Sequence, residues 1–200
     1  MTTQLHAIVG PAAPATRSII RVQKAKVKNQ HLTCEFTEQR ADDAPPRAFC
    51  LTAQEQVHPD LLHWLAQLVP HLCLLCEQLT ETPHYWPDDE TGTLPPHFEP
   101  FTLTGFSVGS GGRGVTLIGQ RQLAGGKVLN LTSPYVSFDD EQPTYAYAGL
   151  LETALDAATT EVEAALRGKC TDYRQLDLFE PTADEPGTAL ISLIPVVAHA

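Results

Sequence analysis

The residue types best suited to chemistry gather between His71 and Glu99. His71-Leu72-Cys73-Leu74-Leu75-Cys76 offers an imidazole and two thiols at spacings that suit zinc, and His97-Phe98-Glu99 lies downstream. A structural zinc site needs four such ligands, and the chain has no second Cys-x-x-Cys to complete one. Cys73 and Cys76 also fall on or beside the apolar stripe of an expected helix, where a thiol serves as a small hydrophobe. His84, Asp88, Asp89, Glu90, His97 and Glu99 supply hard-cation ligand types, yet in a Pro-rich stretch they read first as a solvated acidic loop. Gly109 to Gly114 is Gly-rich and carries Arg113, but it lacks the Gly-x-x-x-x-Gly-Lys-Ser/Thr pattern of a phosphate loop and reads as a hairpin turn. Ser107, Ser110, Ser133 and Ser137 stand in no nucleophile-elbow context. No catalytic set, metal set or cofactor is expected, and a non-enzymatic role is favoured over an enzymatic one.

A second pattern is cationic. Arg17, Arg21, Lys24, Lys26 and Lys28 occur with no acid among them. In a strand, Lys24, Lys26 and Lys28 project from one face. With Arg113, Arg121 and Lys127, and with Tyr135 and Phe138 as aromatic platforms, they outline a sheet face for single-stranded DNA, since such sites combine a cationic groove with stacking rings. The bland alternative is a solvated strand whose lysines discourage edge-to-edge aggregation.

The third pattern lies in the tail. Gln175-Leu176-Asp177-Leu178-Phe179 resembles the clamp-binding peptide of bacterial replication and repair proteins, Gln-Leu-Ser/Asp-Leu-Phe, at all five positions. Polymerase III subunits, mismatch-repair proteins and translesion polymerases carry versions of it. The resemblance covers five residues, so it implies a partner, the bacterial DNA sliding clamp, and not a fold. Leu178 and Phe179 would fill a hydrophobic cleft, each anchor worth about 1.5–3 kcal/mol before ordering costs, and Gln175 would supply an amide to a polar pocket. The same alternation of apolar residues also suits an edge strand packed on the chain's own core. The histidine and cysteines of the first pattern loosely resemble the zinc deaminase signature, but the order is reversed and Pro70 is not adjacent to Cys73. The strands and second helix, from Gly105-Phe106 through Lys127-Val128-Leu129-Asn130-Leu131 to the helix, are similar to uncharacterised proteins of prophages and other mobile elements, which implies a DNA-replication or recombination setting and no activity.

Composition bounds these readings. The chain has 200 residues, is 42% hydrophobic and carries a net charge of -11. That length fits a single domain with extensions. Residues 1–50 hold seven Lys/Arg against four Asp/Glu, whereas residues 51–100 hold eight acids and no Lys or Arg. A protein that coats DNA with its whole surface would not be charged this way, so any DNA contact is local and N-terminal. Five cysteines, Cys34, Cys50, Cys73, Cys76 and Cys170, are odd in number and irregular in spacing, which suits a reducing, cytoplasmic setting. No stretch approaches the roughly 20 apolar residues that span a bilayer, and the start has no signal-peptide pattern.

The elements that must position these residues follow from periodicity. Residues 1–16 read as a flexible leader, 17–168 as one domain and 169–200 as a tail. Arg17 to Asn29 and His31 to Gln39 read as strands joined at Asn29-Gln30, and Arg47 to Ala53 as a third. Val57 to Thr80 reads as one helix with Leu61, Leu65, Leu68, Leu72, Cys76 and Leu79 in a stripe, bent at Pro70, with Pro70 itself opposite the stripe on the solvent side. Glu81 to Pro100 reads as an acidic connection. Phe101 to Val108, Gly114 to Leu123 and Lys127 to Phe138 read as a meander with Gly-rich turns. Tyr145 to Arg167 reads as a second amphipathic helix with Leu151, Leu155, Ala158, Val162 and Leu166 inward. No internal repeat is visible. Grouped strands imply an α+β fold, an antiparallel sheet of five to six strands packed with two amphipathic helices. The function expected is an accessory or modulator of DNA replication, recombination or repair. The other classes left open are a small metal-dependent nucleic-acid enzyme and a phage structural or assembly protein.

Overall fold

Strand alternation and two helical stripes produce a two-layer α+β molecule, one antiparallel sheet with helices on one face. The computed structural model describes residues 18–40, 45–87, 92–140 and 144–171. The strands are β1 (Ile19–Lys28), β2 (His31–Gln39), β3 (Arg47–Gln56), β4 (Phe101–Val108), β5 (Gly114–Gln122), β6 (Val128–Thr132) and the short β7 (Val136–Ser137). Their spatial order is β3-β2-β1-β4-β5-β6, with β7 also on β5. The helices are α1 (Pro59–Gln67), α2 (Val69–Leu75) and α3 (Ala148–Leu166). No helix among the described residues is long and apolar enough to cross a membrane.

The β1–β2 hairpin turns at Asn29 and Gln30, whose φ values of 50° and 64° are the left-handed pair that a tight two-residue hairpin demands. The sheet is duplicated in topology though not in sequence. Three strands in meander followed by helix occur twice, and the two halves meet where β1 runs antiparallel to β4. That junction is only three residue pairs long, Lys24–Ser107, Ala25–Phe106 and Lys26–Gly105. Gly105 permits it, because a Cβ there would lie 2.3 Å from the Ala25 carbonyl oxygen.

The first helical stretch is the single bent helix expected, with its bend at Leu68 and not at Pro70. The bend falls two residues before Pro70 and divides the helix into α1 and α2. Pro70 is buried rather than on the solvent side. Its carbonyl accepts a 2.9 Å hydrogen bond from the buried Tyr85 hydroxyl, which fixes the loop after α2 across the break. The stripe reading of α1 and α2 holds where it packs: Leu61, Leu65, Leu68 and Leu72 are all buried. Leu151, Leu155, Ala158 and Val162 do the same for α3, which packs against α1 and β1. The connection after α2 is less polar in effect than its composition suggests, because Tyr85 and Phe98 are among the most buried large side chains.

Candidate nucleic-acid interface

The face of the sheet opposite the helices is polar. Residues of β1, β2, β4 and β5 that point away from the core include Thr33, Glu35, Thr37, Thr102, Ser107, Thr116 and Gln120, with the β1 cations among them. A strand of period two would place Arg21 and Lys24 on opposite faces. A bulge between Val22 and Lys24 resets the phase. Arg21 opposite Thr37, Lys24 opposite Glu35, Lys26 opposite Thr33 and Lys28 opposite His31 therefore share one face. Lys24 is paired with Glu35 at 3.2 Å. Among the described residues Arg21, Lys26 and Lys28 form no ion pair.

The brief β1–β4 junction leaves an open cleft on each side of it. The first has a volume of about 890 Å³ and lies between the last residues of β1 and the first half of β4. Lys26, Lys28, Asn29 and Gln30 form one wall, while Thr102, Thr104, Gln120 and Asn130 contribute hydroxyls and amides. Leu62 and Leu65 from α1 make its floor. The second, of about 860 Å³, has Arg21 and Lys24 on one side but Glu152, Asp156 and Glu163 of α3 on the other. Phosphate would be repelled by that acidic floor; the first cleft has no acid among its lining residues.

The remaining expected site residues are scattered. Arg113 sits in the β4–β5 turn, paired with Asp139 at 3.2 Å. Arg121 is on the helix side, 5.2 Å over the Phe101 ring and donating to Gln78. Lys127 is in the β5–β6 turn. Tyr135 is exposed and packs beside Gly109 and Gly114, whereas Phe138 leans on the core and lines the second cleft with Arg21 and Lys24; neither ring lines the first cleft with Lys26 and Lys28. Arg17 and the motif Gln175, Leu176, Asp177, Leu178 and Phe179 lie outside the described residues.

The zinc-like residues serve packing. Cys73 is fully buried, and burial pushes its thiol up to about 12. Burial also raises the Cys76 thiol. His71 is buried, shares a 2.9 Å hydrogen bond between Nδ1 and the Tyr145 hydroxyl, and is driven down to about 4 by desolvation. Among the described residues no three His, Cys, Asp or Glu side chains converge as metal ligands. One polar cluster was not legible from spacing: Trp86 Nε1 donates to Glu81 at 3.1 Å and the Tyr147 hydroxyl donates to the same carboxylate, latching the loop after α2 to the start of α3.

The body extends three residues beyond Gly168. Lys169 pairs with Asp60 at 2.7 Å and Glu161 at 2.6 Å. Cys170 bridges Val57, and Thr171 donates to the carbonyls of Gln56 and Val57. Residues 169–171 thus lie at the end of β3, beside the N-terminus of α1. Fold and surface define a two-layer α+β protein with a cationic row on its sheet. No family model, curated protein or solved structure matches this chain.

Proposed function

We propose that this chain is a non-enzymatic accessory or modulator protein of bacterial DNA replication, recombination or repair that docks on the sliding clamp through residues 175–179. The observation that carries this reading is the five-position match of Gln175-Leu176-Asp177-Leu178-Phe179. Its place in the chain supports it. Three residues separate Thr171, the last described residue, from Gln175. An extended chain gains at most about 3.3–3.6 Å per residue, so a docked motif would hold the body within about 15 Å of the clamp surface.

A second contact with single-stranded DNA is favoured by one observation, the acid-free cleft walled by Lys26 and Lys28. DNA threading a clamp would then meet a cationic face on an otherwise acidic protein. With two cations, and with its one aromatic lining residue, Phe101, buried, that contact is weak and gains its effect from the clamp tether.

The test is a binding measurement with purified clamp. Leu178→Ala with Phe179→Ala should reduce affinity by at least about tenfold, because each anchor carries an apolar burial term. The melting temperature should hold, since substitutions away from the core stay within about 0.5 kcal/mol. Absence of clamp binding by the parent chain, together with a large loss of stability in the double variant, would assign the segment to core packing instead.

A further inference from the structure

We propose that the first cleft holds one unstacked nucleotide, its phosphate against Lys26 and Lys28 and its base edge against Gln120 and Asn130; this rests on the DNA contact proposed for the same cleft and names what that contact recognises. A nucleotide has three unlike surfaces: an anionic phosphate, two apolar base faces, and a base edge of donors and acceptors. The cleft, of about 890 Å³, has a lining for each.

Lys26 and Lys28 stand two residues apart on β1, about 7 Å, and no acid lines the cleft to oppose a phosphate. Leu62, Leu65 and Leu94 give it an apolar side. Gln120 of β5 opposes Asn130 of β6, so two amides stand side by side on the outer face, about 5 Å apart. Each amide offers both donors and an acceptor, and among the described residues neither side chain makes a hydrogen bond. Both are left to a ligand or to water.

The register sets the distance across. Lys26 opposes Gly105, which opposes Ile118 on β5. The lysine wall and β5 are therefore two strand spacings apart, about 10 Å, and the residue between them carries no side chain. A run of stacked bases is held by a row of rings, whereas Phe101, the one aromatic lining residue, is buried. What the cleft offers is contact with a base edge between apolar side chains, and a base presents its edge in that way once it leaves the stack. The second cleft, of similar size, lacks this combination, because Glu152, Asp156 and Glu163 face its cations.

Binding of the full chain to a ten-nucleotide strand, to the same strand made abasic, and to the four deoxynucleoside monophosphates decides. The intact strand should bind about tenfold tighter than the abasic one, the difference that two amides in hydrogen bonds supply. Gln120→Thr with Asn130→Thr, a residue that strands accept, should bring the intact strand down to the abasic strand's affinity with the parent's melt. A monophosphate that displaces the strand would mark a free nucleotide as the ligand, and displacement by strands alone would mark a nucleotide held in DNA; both fit the pocket. Equal binding of intact and abasic strands, lost in Lys26→Glu with Lys28→Glu, would overturn the pocket and leave the DNA contact standing. Discrimination that persists in the Gln120 and Asn130 double variant would also overturn it, and no binding of any probe would overturn both.

Discussion

Gly105→Ala tests the junction on which the whole sheet depends. An added Cβ would sit 2.3 Å from the Ala25 carbonyl oxygen and 3.0 Å from the Lys26 Cα. Both are backbone atoms, so no side chain can rotate away. Relief needs β1 and β4 to separate by about 1 Å, given an ordinary C···O contact a little over 3 Å, and only three residue pairs hold them together. Overpacking of this kind costs about 1–3 kcal/mol. For a protein of this size each kcal/mol lowers the melting temperature by about 2–4 °C, so a fall of roughly 2–12 °C is expected in a thermal or urea melt. The variant should also lose β1–β4 contact before the rest, seen as faster amide exchange at Lys24 to Lys26 than at β5. Gly149→Ala is the control. Its Cβ meets nothing within 4 Å, it lies in α3, and it should stabilise by up to about 1 kcal/mol. If Gly105→Ala melts within a degree of the parent, the half-sheets are not held by close approach, and the account of the clefts fails with it.

Two further outcomes follow from named groups. His71, held down at about 4 by burial, binds its proton in the unfolded chain first; stability is therefore unaffected above the ordinary imidazole value of 6.5 and is lost as pH falls from 6.5 toward 4. The loss is on the order of 3 kcal/mol at full effect, and His71→Gln should flatten that limb of a denaturation series relative to the parent. Lys26→Glu with Lys28→Glu should abolish retention of single-stranded DNA while leaving the melt unchanged, because both side chains are exposed. In the parent, two contacts imply that log affinity falls with log salt at a slope of about -1.4; salt-insensitive binding, or binding intact in the double variant, would remove the cleft from the reading.

What was legible in the sequence is what local periodicity encodes. The hairpin at Asn29-Gln30, the leucine stripe from Leu61 to Leu72 and the α3 face were readable because each is set by neighbours within a few residues. Pro70 was not. Helical phase placed it away from the stripe, but the hydroxyl that covers its carbonyl comes from Tyr85, in a loop whose Pro and acidic content gave no sign of core residues. The expected strand from Lys127 to Phe138 divides for a similar reason. Pro134 cannot donate to the ladder; the last bonds before it are made by Ser133, whose amide donates to the Leu117 carbonyl and whose hydroxyl accepts from the Leu117 amide, both at 2.9 Å, so the chain leaves the sheet and returns as β7.

The cationic row shows the harder limit. By strand period alone, Arg21 belongs on the core side, where an unpaired guanidinium would not be tolerated. It reaches the outer face only because one residue is inserted between Val22 and Lys24. That bulge sits immediately before the β1–β4 junction at Lys24 to Lys26. Bulges bend a strand and increase its twist, which is what lets β1 approach β4 for three residues and diverge from it on either side. One inserted residue thus gathers Arg21 with the lysines and also precedes the crossing that opens the clefts. Nothing in the spacing of Arg21, Lys24, Lys26 and Lys28 announces it, because a bulge is a property of two strands paired and not of one strand read alone.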